Sequence, residues 1–591
     1  MTATDRRRPE QVRVDVGRGG DGVPWWKSSV VYQVYPRSFA DSNGDGIGDL
    51  RGIIEHLDHV EYLGADVLWI SPIYSSPQDD NGYDISDYQS VDPSFGTLDD
   101  VDELIDQLHR RKMRLVMDLV VNHTSDEHPW FVESASSVRS PKRDWYWWRP
   151  AREGFEPGGP GAEPTNWESF FSGPTWQFDP QTGEYFLHLF SAKQPDLNWE
   201  NPDVRQAIYR MMRWWTARGV DGFRMDVANL YSKVPSLPDG PVAPGRRLGD
   251  GSAFYVDGPR IHEYLAEMRR EVFGDRRTPP LLVAETPGVS LSHARRYTDP
   301  DRAEVDMVFH FEHVGLDHGP SGKFDPVPLD RLALRQCLNR WQAELADPGW
   351  NSLYWGNHDQ PRAVSRFGDD DGYWMQSATT LATVLYLQRG TPYLFQGEEI
   401  GMTNMPFSGI EKLRDIESIR YFAQAVSHDP DRATSAFRGL LAAGRDNART
   451  PLQWSGRPGA GFTDGEPWIA VNPNHTWLNV DAQRGAPGSV LEYYRSLIAL
   501  RRAEPALIDG SFVPVQPEHP TVYAYTRSLG DTAVLVVGNM SADTATFDLA
   551  GDWSDAAVLL TNAESETAVS DVLTVGPWEA LVLRLRTPDG S

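Results

Sequence analysis

One cysteine, Cys337, stands in a chain of 591 residues. That count excludes an intrachain disulfide framework and a cysteine-cluster metal site. Cys337 falls in the helix-like run 329–341, where a packed core thiol is expected. Long apolar runs are also missing, and nothing approaches the roughly 18 consecutive apolar residues of a membrane span. Residues 1–22 carry Arg6-Arg7-Arg8 without an apolar core behind them, which is not the pattern of a secretory signal. Residues 1–24 read as a disordered tail, and cytoplasmic residence is the expectation. The third shortage is basic charge, 56 Lys and Arg against 84 Asp and Glu, for a formal charge of −28. Such a surface repels nucleic acid and anionic membranes and suits a neutral substrate. The expected partner is a small uncharged ligand, with the protein a monomer or a weak homo-oligomer.

What the chain has in quantity is alternation. Apolar strand-like runs at 30–35, 67–70, 114–121, 222–226, 281–285, 306–309, 351–355 and 393–395 are separated by helical patterns. Eight such units predict the α/β class and a (β/α)8 TIM barrel, whose catalytic groups sit at the C-terminal ends of the strands. The barrel is expected at 25–122 and 199–507. Residues 123–198, rich in Trp, Pro and Gly, are too long for a plain loop and predict an inserted domain after the third strand. From 508 to 591 short alternating strands predict a C-terminal antiparallel β-domain.

Three strand ends are acidic. Gly222-Phe223-Arg224-Met225-Asp226 places Arg224 and Asp226 on one face, since alternate strand residues point the same way. A guanidinium beside a carboxylate is expected to lower its pKa and keep it charged. Alone, an Arg-x-Asp pair reads as a structural ion pair. Leu281-Leu282-Val283-Ala284-Glu285 and Tyr354-Trp355-Gly356-Asn357-His358-Asp359 repeat the pattern in order, which chance rarely supplies. A different signal lies in Asp41-Ser42-Asn43-Gly44-Asp45-Gly46-Ile47-Gly48-Asp49. Oxygen donors at Asp41, Asn43, Asp45 and Asp49, with the Ile47 carbonyl between, have calcium-loop spacing. Gly52 stands where an EF-hand has Glu, so the expectation is a structural Ca2+ (or Mg2+) on a barrel loop.

The long motifs carry a resemblance. Asp118-Leu119-Val120-Val121-Asn122-His123, Gly222 to Asp226, Glu285-Thr286-Pro287-Gly288, Asn357-His358-Asp359-Gln360 and Gly397-Glu398-Glu399-Ile400-Gly401-Met402-Thr403-Asn404 resemble the α-amylase family of glycoside hydrolases. Gln194-Pro195-Asp196-Leu197-Asn198 resembles its oligo-1,6-glucosidase branch. The resemblance implies a retaining reaction without a catalytic metal or cofactor. Asp226 would be the nucleophile, Glu285 the proton donor and Asp359 the carboxylate that stabilises the transition state, with the first two about 5–5.5 Å apart. Burial at the end of an apolar strand would raise the pKa of Glu285. It also implies that His123 and His358 hold sugar hydroxyls; a zinc site built on His123, His128 and His358 fits no helical metal motif. Tyr83 would stack on the terminal glucose, with Phe171 and Phe190 around it. Asp80 would pair with an arginine to close the pocket and enforce exo-action, with Arg445 and Arg449 both eligible. Val227, beside the leaving-group side, resembles the α-1,6-cleaving branch.

An α-1,4- or sucrose-active glucosidase with transglucosylation is the alternative. Sucrose isomerases resemble the chain but carry an Arg-rich motif where this one reads Phe311-Glu312-His313-Val314-Gly315-Leu316-Asp317. Non-catalytic transporter-associated barrels resemble it more remotely, and they lack the full carboxylate set.

Overall fold

A computed structural model describes residues 24–274, 280–549, 551–563 and 572–586. Apart from Pro24, the tail expected at 1–24 lies outside the described residues. Eight parallel strands form the central sheet: β1 (Val31–Val34), β2 (Val67–Ile70), β3 (Arg114–Leu119), β4 (Gly222–Met225), β5 (Leu281–Glu285), β6 (Met307–Phe309), β7 (Ser352–Leu353) and β8 (Thr391–Phe395). Their order in space is β6-β5-β4-β3-β2-β1-β8-β7. A single parallel bridge between Val308 and Asn351 joins the two outer strands and closes the barrel. β7 is therefore shorter than the 351–355 run, and β3 ends before Val120 and Val121. Strands β1, β2, β4, β5 and β8 are buried along their whole length, which explains why they read as unbroken apolar runs rather than as an alternation.

Register brings the charged residues together. Asp118 on β3 lies opposite Arg224 on β4, and Arg224 lies opposite Val283 on β5. The last β4–β5 pair is Met225 with Ala284. One step further along each chain come Asp226 and Glu285. Gly222 makes this approach possible, because a Cβ there would stand 2.6 Å from the Leu281 carbonyl oxygen.

Outer helices begin and end where capping chemistry dictates. Thr97 and Asp100 form a capping box for Leu98–Arg110, while Asn201 caps Pro202–Arg218, which stops at the left-handed Gly219. After β3, strands Trp148–Arg149, Glu184–Leu187 and Trp176–Asp179 make a small antiparallel sheet. The bridges His123–Asp196 and Tyr146–Leu197 fasten this segment at its root. A fully buried pair, Lys233 Nζ to Asp196 Oδ2 at 2.8 Å, ties it to the loop after β4.

Near the C-terminus, strands Ser511–Val515, Val522–Leu529, Thr532–Asn539, Ala580–Arg586 and Ala557–Thr561 form an antiparallel sheet. It rests on helix Trp374–Tyr386, where Thr380 Oγ1 donates to the Trp578 carbonyl at 2.6 Å. Among the described residues no helix is long and apolar enough to cross a membrane.

Candidate active site

The strand ends open into a pocket of about 210 Å3. Asp80, Tyr83, His123, Phe171, Phe190, Asp226, Val227, Glu285, Asp359 and Arg445 all line it. Arg224, His358 and Arg449 lie immediately behind, each touching a lining residue. The loop carrying Asp41, Asn43, Asp45, Ile47 and Asp49 does not contribute to the pocket.

Arg224 is the hub. Nη1 stands 2.7 Å from Asp118 Oδ1 and 2.7 Å from Asp226 Oδ1, while Nη2 stands 2.7 Å from Glu285 Oε2. All four groups are buried. The effect on Asp226 differs from the sequence expectation. Burial outweighs the guanidinium, and the Asp226 carboxyl is pushed up to about 6 rather than lowered. Burial also pushes Glu285 up to about 8; Arg224 opposes this, while Asp226 and Asp359 add to it. At neutral pH Asp226 is thus largely charged and Glu285 largely protonated.

Val227 completes this corner. Its backbone sits at φ 37°, ψ 45°, a left-handed conformation unfavourable for a β-branched side chain. The same conformation delivers its N–H to Glu285 Oε2 at 3.0 Å. With Oε2 already facing Arg224 and this N–H, Oε1 is the oxygen left to carry the proton.

The pocket's other end is held by arginines. Arg445 Nη2 contacts Asp80 Oδ1 at 3.0 Å, which decides between the two arginines left open by the sequence. Arg449 instead reaches Asp359 Oδ1 at 3.0 Å and Asp415 at 3.3 Å. Burial pushes Asp359 up, yet His358 and the two arginines together hold it well below the usual carboxylate range. His358 accepts from Gln33 at Nδ1 (2.9 Å), which leaves Nε2 to face Asp359 at 3.1 Å. Tyr83 stacks flat on His358, with centroids 5.1 Å apart, and its hydroxyl donates to Asp118 Oδ2. Burial lowers the pKa of His123, whose Nε2 lies 3.0 Å from the Tyr83 carbonyl. Phe171 lies under the Arg445 guanidinium at 5.0 Å and against Phe190 at 5.6 Å.

Among known proteins, the α-amylase catalytic domain matches residues 33–510, and the C-terminal domain of the α-amylase SusG matches residues 522–582. The chain belongs to the α-amylase family of glycoside hydrolases. It is 51% identical over 567 residues to the oligo-1,6-glucosidase of Parageobacillus thermoglucosidasius, covering 95% of this chain and 99% of that one. It is 45% identical to the trehalose-6-phosphate hydrolase of Bacillus subtilis (strain 168), with coverages of 96% and 99%. Of solved structures, Bacillus licheniformis trehalose-6-phosphate hydrolase superposes with a TM-score of 0.90 at 43% identity, covering 96% of this chain and all of that one. A mutant of the trehalulose synthase MutB gives 0.89 at 42%, with coverages of 95% and 100%.

Several lining residues of this family member had no role assigned from sequence: Gln194, Pro287, Phe311 and Gln360 stood only within quoted motifs, and Phe170, Lys323 and Glu417 were not named at all. Behind the wall, Asp118 belongs with them; its signal was a carboxylate inside an otherwise apolar strand. Lys323 and Glu417, paired at 2.7 Å, gave no local signal.

The loop at 41–49 folds as consecutive side-chain-to-backbone turns. Asp41 accepts from the N–H groups of Asn43, Gly44 and Gly46, Asn43 from Asp45, and Asp45 from Ile47. Asp49 caps helix Leu50–Glu55 through the Gly52 N–H. An all-oxygen donor set has the hardness that Ca2+ or Mg2+ requires. Among the described residues, however, no group of three His, Cys, Asp or Glu is arranged to hold a metal.

The paired carboxyl values fix a pH dependence. Below about 6 Asp226 gains a proton and above about 8 Glu285 loses one, which would end activity on both sides if Asp226 is the nucleophile and Glu285 the proton donor. The plot of kcat/KM against pH is expected to be bell-shaped, with limbs near those values. In Glu285→Gln, assayed on 4-nitrophenyl α-glucoside, the alkaline limb should vanish. An unchanged alkaline limb would assign it to another group.

Proposed function

We propose that the protein is a retaining, exo-acting α-glucosidase that releases glucose from the non-reducing end of isomaltose and short isomalto-oligosaccharides. The observation that carries this reading is one guanidinium shared by Asp226 and Glu285 inside a pocket closed by Asp80 and Arg445. In this account the terminal glucose fills the pocket, with Tyr83 against its face and Asp80, His123 and Arg445 around its hydroxyls. Asp226 attacks the anomeric carbon while Glu285 gives its proton to the leaving oxygen. The bond to the leaving sugar breaks, a glycosyl-enzyme forms on Asp226, and positive charge develops on the ring beside Asp359. Glu285, now a carboxylate, takes a proton from water, which attacks the same carbon and frees glucose with its configuration retained. Asp359 is suited to its part because it stays ionised throughout.

Two features support a neutral α-1,6-linked leaving sugar. The relatives at about half identity include several oligo-1,6-glucosidases. Val227 lines the pocket as an apolar wall, accepting the methylene of a 6-linked sugar and offering no hydroxyl to a 4-linked one. The reading also takes the enzyme as cytoplasmic and monomeric or weakly self-associating, which cell fractionation and solution size would test.

Linkage has a direct assay. Isomaltose should be preferred to maltose in kcat/KM, and Val227→Thr should move the ratio toward maltose. One such contact is worth about 1–3 kcal/mol, or roughly 10–200-fold. A wild-type preference for maltose would remove the α-1,6 assignment and leave the retaining mechanism standing.

On donor chemistry we also infer a structural Ca2+ or Mg2+ at Asp41, Asn43, Asp45, Ile47 and Asp49. Binding to the native state alone raises stability by mass action. Added Ca2+ should raise the Tm, Asp45→Asn should abolish the rise, and kcat of the folded variant should be unaltered. If neither Ca2+ nor Mg2+ moves the Tm, there is no ion at this loop.

A further inference from the structure

The left-handed turn at Val227 carries the N–H that reaches Glu285. A β-branched residue keeps such a conformation only where its surroundings hold it. The holding contacts come from two residues outside the pocket, Asn229 and Asp257. Asn229 lies in the short helical turn Ala228–Leu230 that follows Val227, and it is fully buried. Its Nδ2 donates to the Pro287 carbonyl at 3.0 Å and to Asp257 Oδ1 at 3.3 Å. A carbonyl and a carboxylate can only accept, so the amide has one possible orientation. Pro287 stands two residues beyond Glu285. The chain after β4 is thus tied twice to the end of β5, once from Val227 to Glu285 and once from Asn229 to Pro287.

Asp257 anchors this tie from behind. Its own N–H donates to the Asn229 carbonyl at 2.9 Å, so backbone and side chain both engage Asn229. The next residue, Gly258, passes so close to the chain after β4 that a Cβ would stand 1.9 Å from the Ser232 carbonyl oxygen. Asp257 takes a left-handed φ of 50° at this approach. Helix Leu291–Tyr297, which follows β5, holds the carboxylate from its other side. Tyr297 donates its hydroxyl to Oδ1 at 2.6 Å, and His293 Nδ1 stands 3.2 Å from Oδ2. Three chain segments therefore meet on one buried carboxylate. Asn229, Asp257, His293 and Tyr297 do not line the pocket.

We propose that Asp257, acting through Asn229, is a positioning residue for the acid: it holds the Val227 turn so that the peptide N–H stays on Glu285 Oε2 and the proton on Oε1. The proposal rests on the reading of Glu285 as proton donor. A hydrogen bond to the charged form of a carboxyl lowers its pKa, so release of the turn should raise that of Glu285. The other charged and titratable groups facing Glu285 are Arg224, Asp226, Tyr231, Tyr354 and Asp359, and a substitution at Asn229 or Asp257 removes none of them. Charge alone predicts the opposite sign, because deleting the Asp257 anion would ease the ionisation of Glu285.

The test is the pH profile of kcat/KM on the better disaccharide substrate, together with Tm, for wild type, Asn229→Ala, Asp257→Gly and Asp257→Asn. Glycine accepts a φ of 50° without strain, so Asp257→Gly deletes the carboxylate and spares the turn. In Asn229→Ala and Asp257→Gly the alkaline limb should move up by about 0.5–1 pH unit, the scale of one hydrogen bond. Asp257→Asn keeps an acceptor and a residue type that visits left-handed backbone, and should leave the limb at or just below its wild-type place. A limb that stays put in Asn229→Ala and Asp257→Gly while Tm and rate fall would make the contacts structural and overturn the positioning role. A limb that moves down in Asp257→Gly would overturn it in favour of charge. If Asn229→Ala does not fold, the sign in Asp257→Gly decides. A wild-type alkaline limb that survives Glu285→Gln on 4-nitrophenyl α-glucoside overturns the acid assignment, and the positioning role falls with it.

Discussion

Everything at the catalytic end of this barrel depends on a single cation, Arg224, placed among three buried carboxyls. Were Asp118, Asp226 and Glu285 all ionised, the cluster would hold two net negative charges in a medium that tolerates them poorly. One bound proton relieves that, and the geometry directs it to Glu285. Asp226 has Nη1 of the guanidinium, which Asp118 shares. Glu285 has Nη2 and the Val227 N–H on one oxygen, and keeps the other for a proton. Two carboxyls at the ends of neighbouring strands thus acquire opposite protonation states through environment alone, as the proposed duties of nucleophile and acid require. The strained turn at Val227 belongs to the same device, because a left-handed residue there directs its N–H at the acid.

The far side of the pocket solves the reverse problem. Arg445 and Arg449 supply two cations for Asp80, Asp359 and Asp415, with His358 beside Asp359. His358 and the two arginines together keep Asp359 ionised against desolvation, as a transition state with growing positive charge needs. Arg445 does double duty, since its contact with Asp80 also closes the pocket. The acid that must be neutral and the carboxylate that must be charged therefore sit in two clusters of different charge balance within one cavity.

Much of this was legible along the chain. Strand periodicity and acidic strand ends located Asp226, Glu285 and Asp359, because the barrel puts every strand's C-terminal end at one face. The rest needed contacts distant in sequence. Asp118 stood in a quoted motif without a role, because its partner follows from the β3–β4 register, which no local pattern encodes. Arg445 and Arg449 lie within one short helical turn, Asp446–Arg449 and its cap, so only the packed geometry tells which one reaches Asp80. The Asp226 shift went the other way from expectation because a neighbouring arginine is visible in sequence while the depth of burial is not. Phe170 and Phe171 are adjacent and identical in type, yet the first is exposed at the pocket's edge and the second buried under Arg445.

The central claim is that Asp226 attacks while Glu285, on the same guanidinium, supplies the proton. Glu285→Gln incubated with an α-glucoside bearing an activated leaving group should form the glycosyl-enzyme and release it slowly, because no base remains to activate water. Mass spectrometry of the digested protein should then find one glucosyl residue, on the peptide that contains Asp226. A label on Asp359, or on any other side chain, would contradict the account.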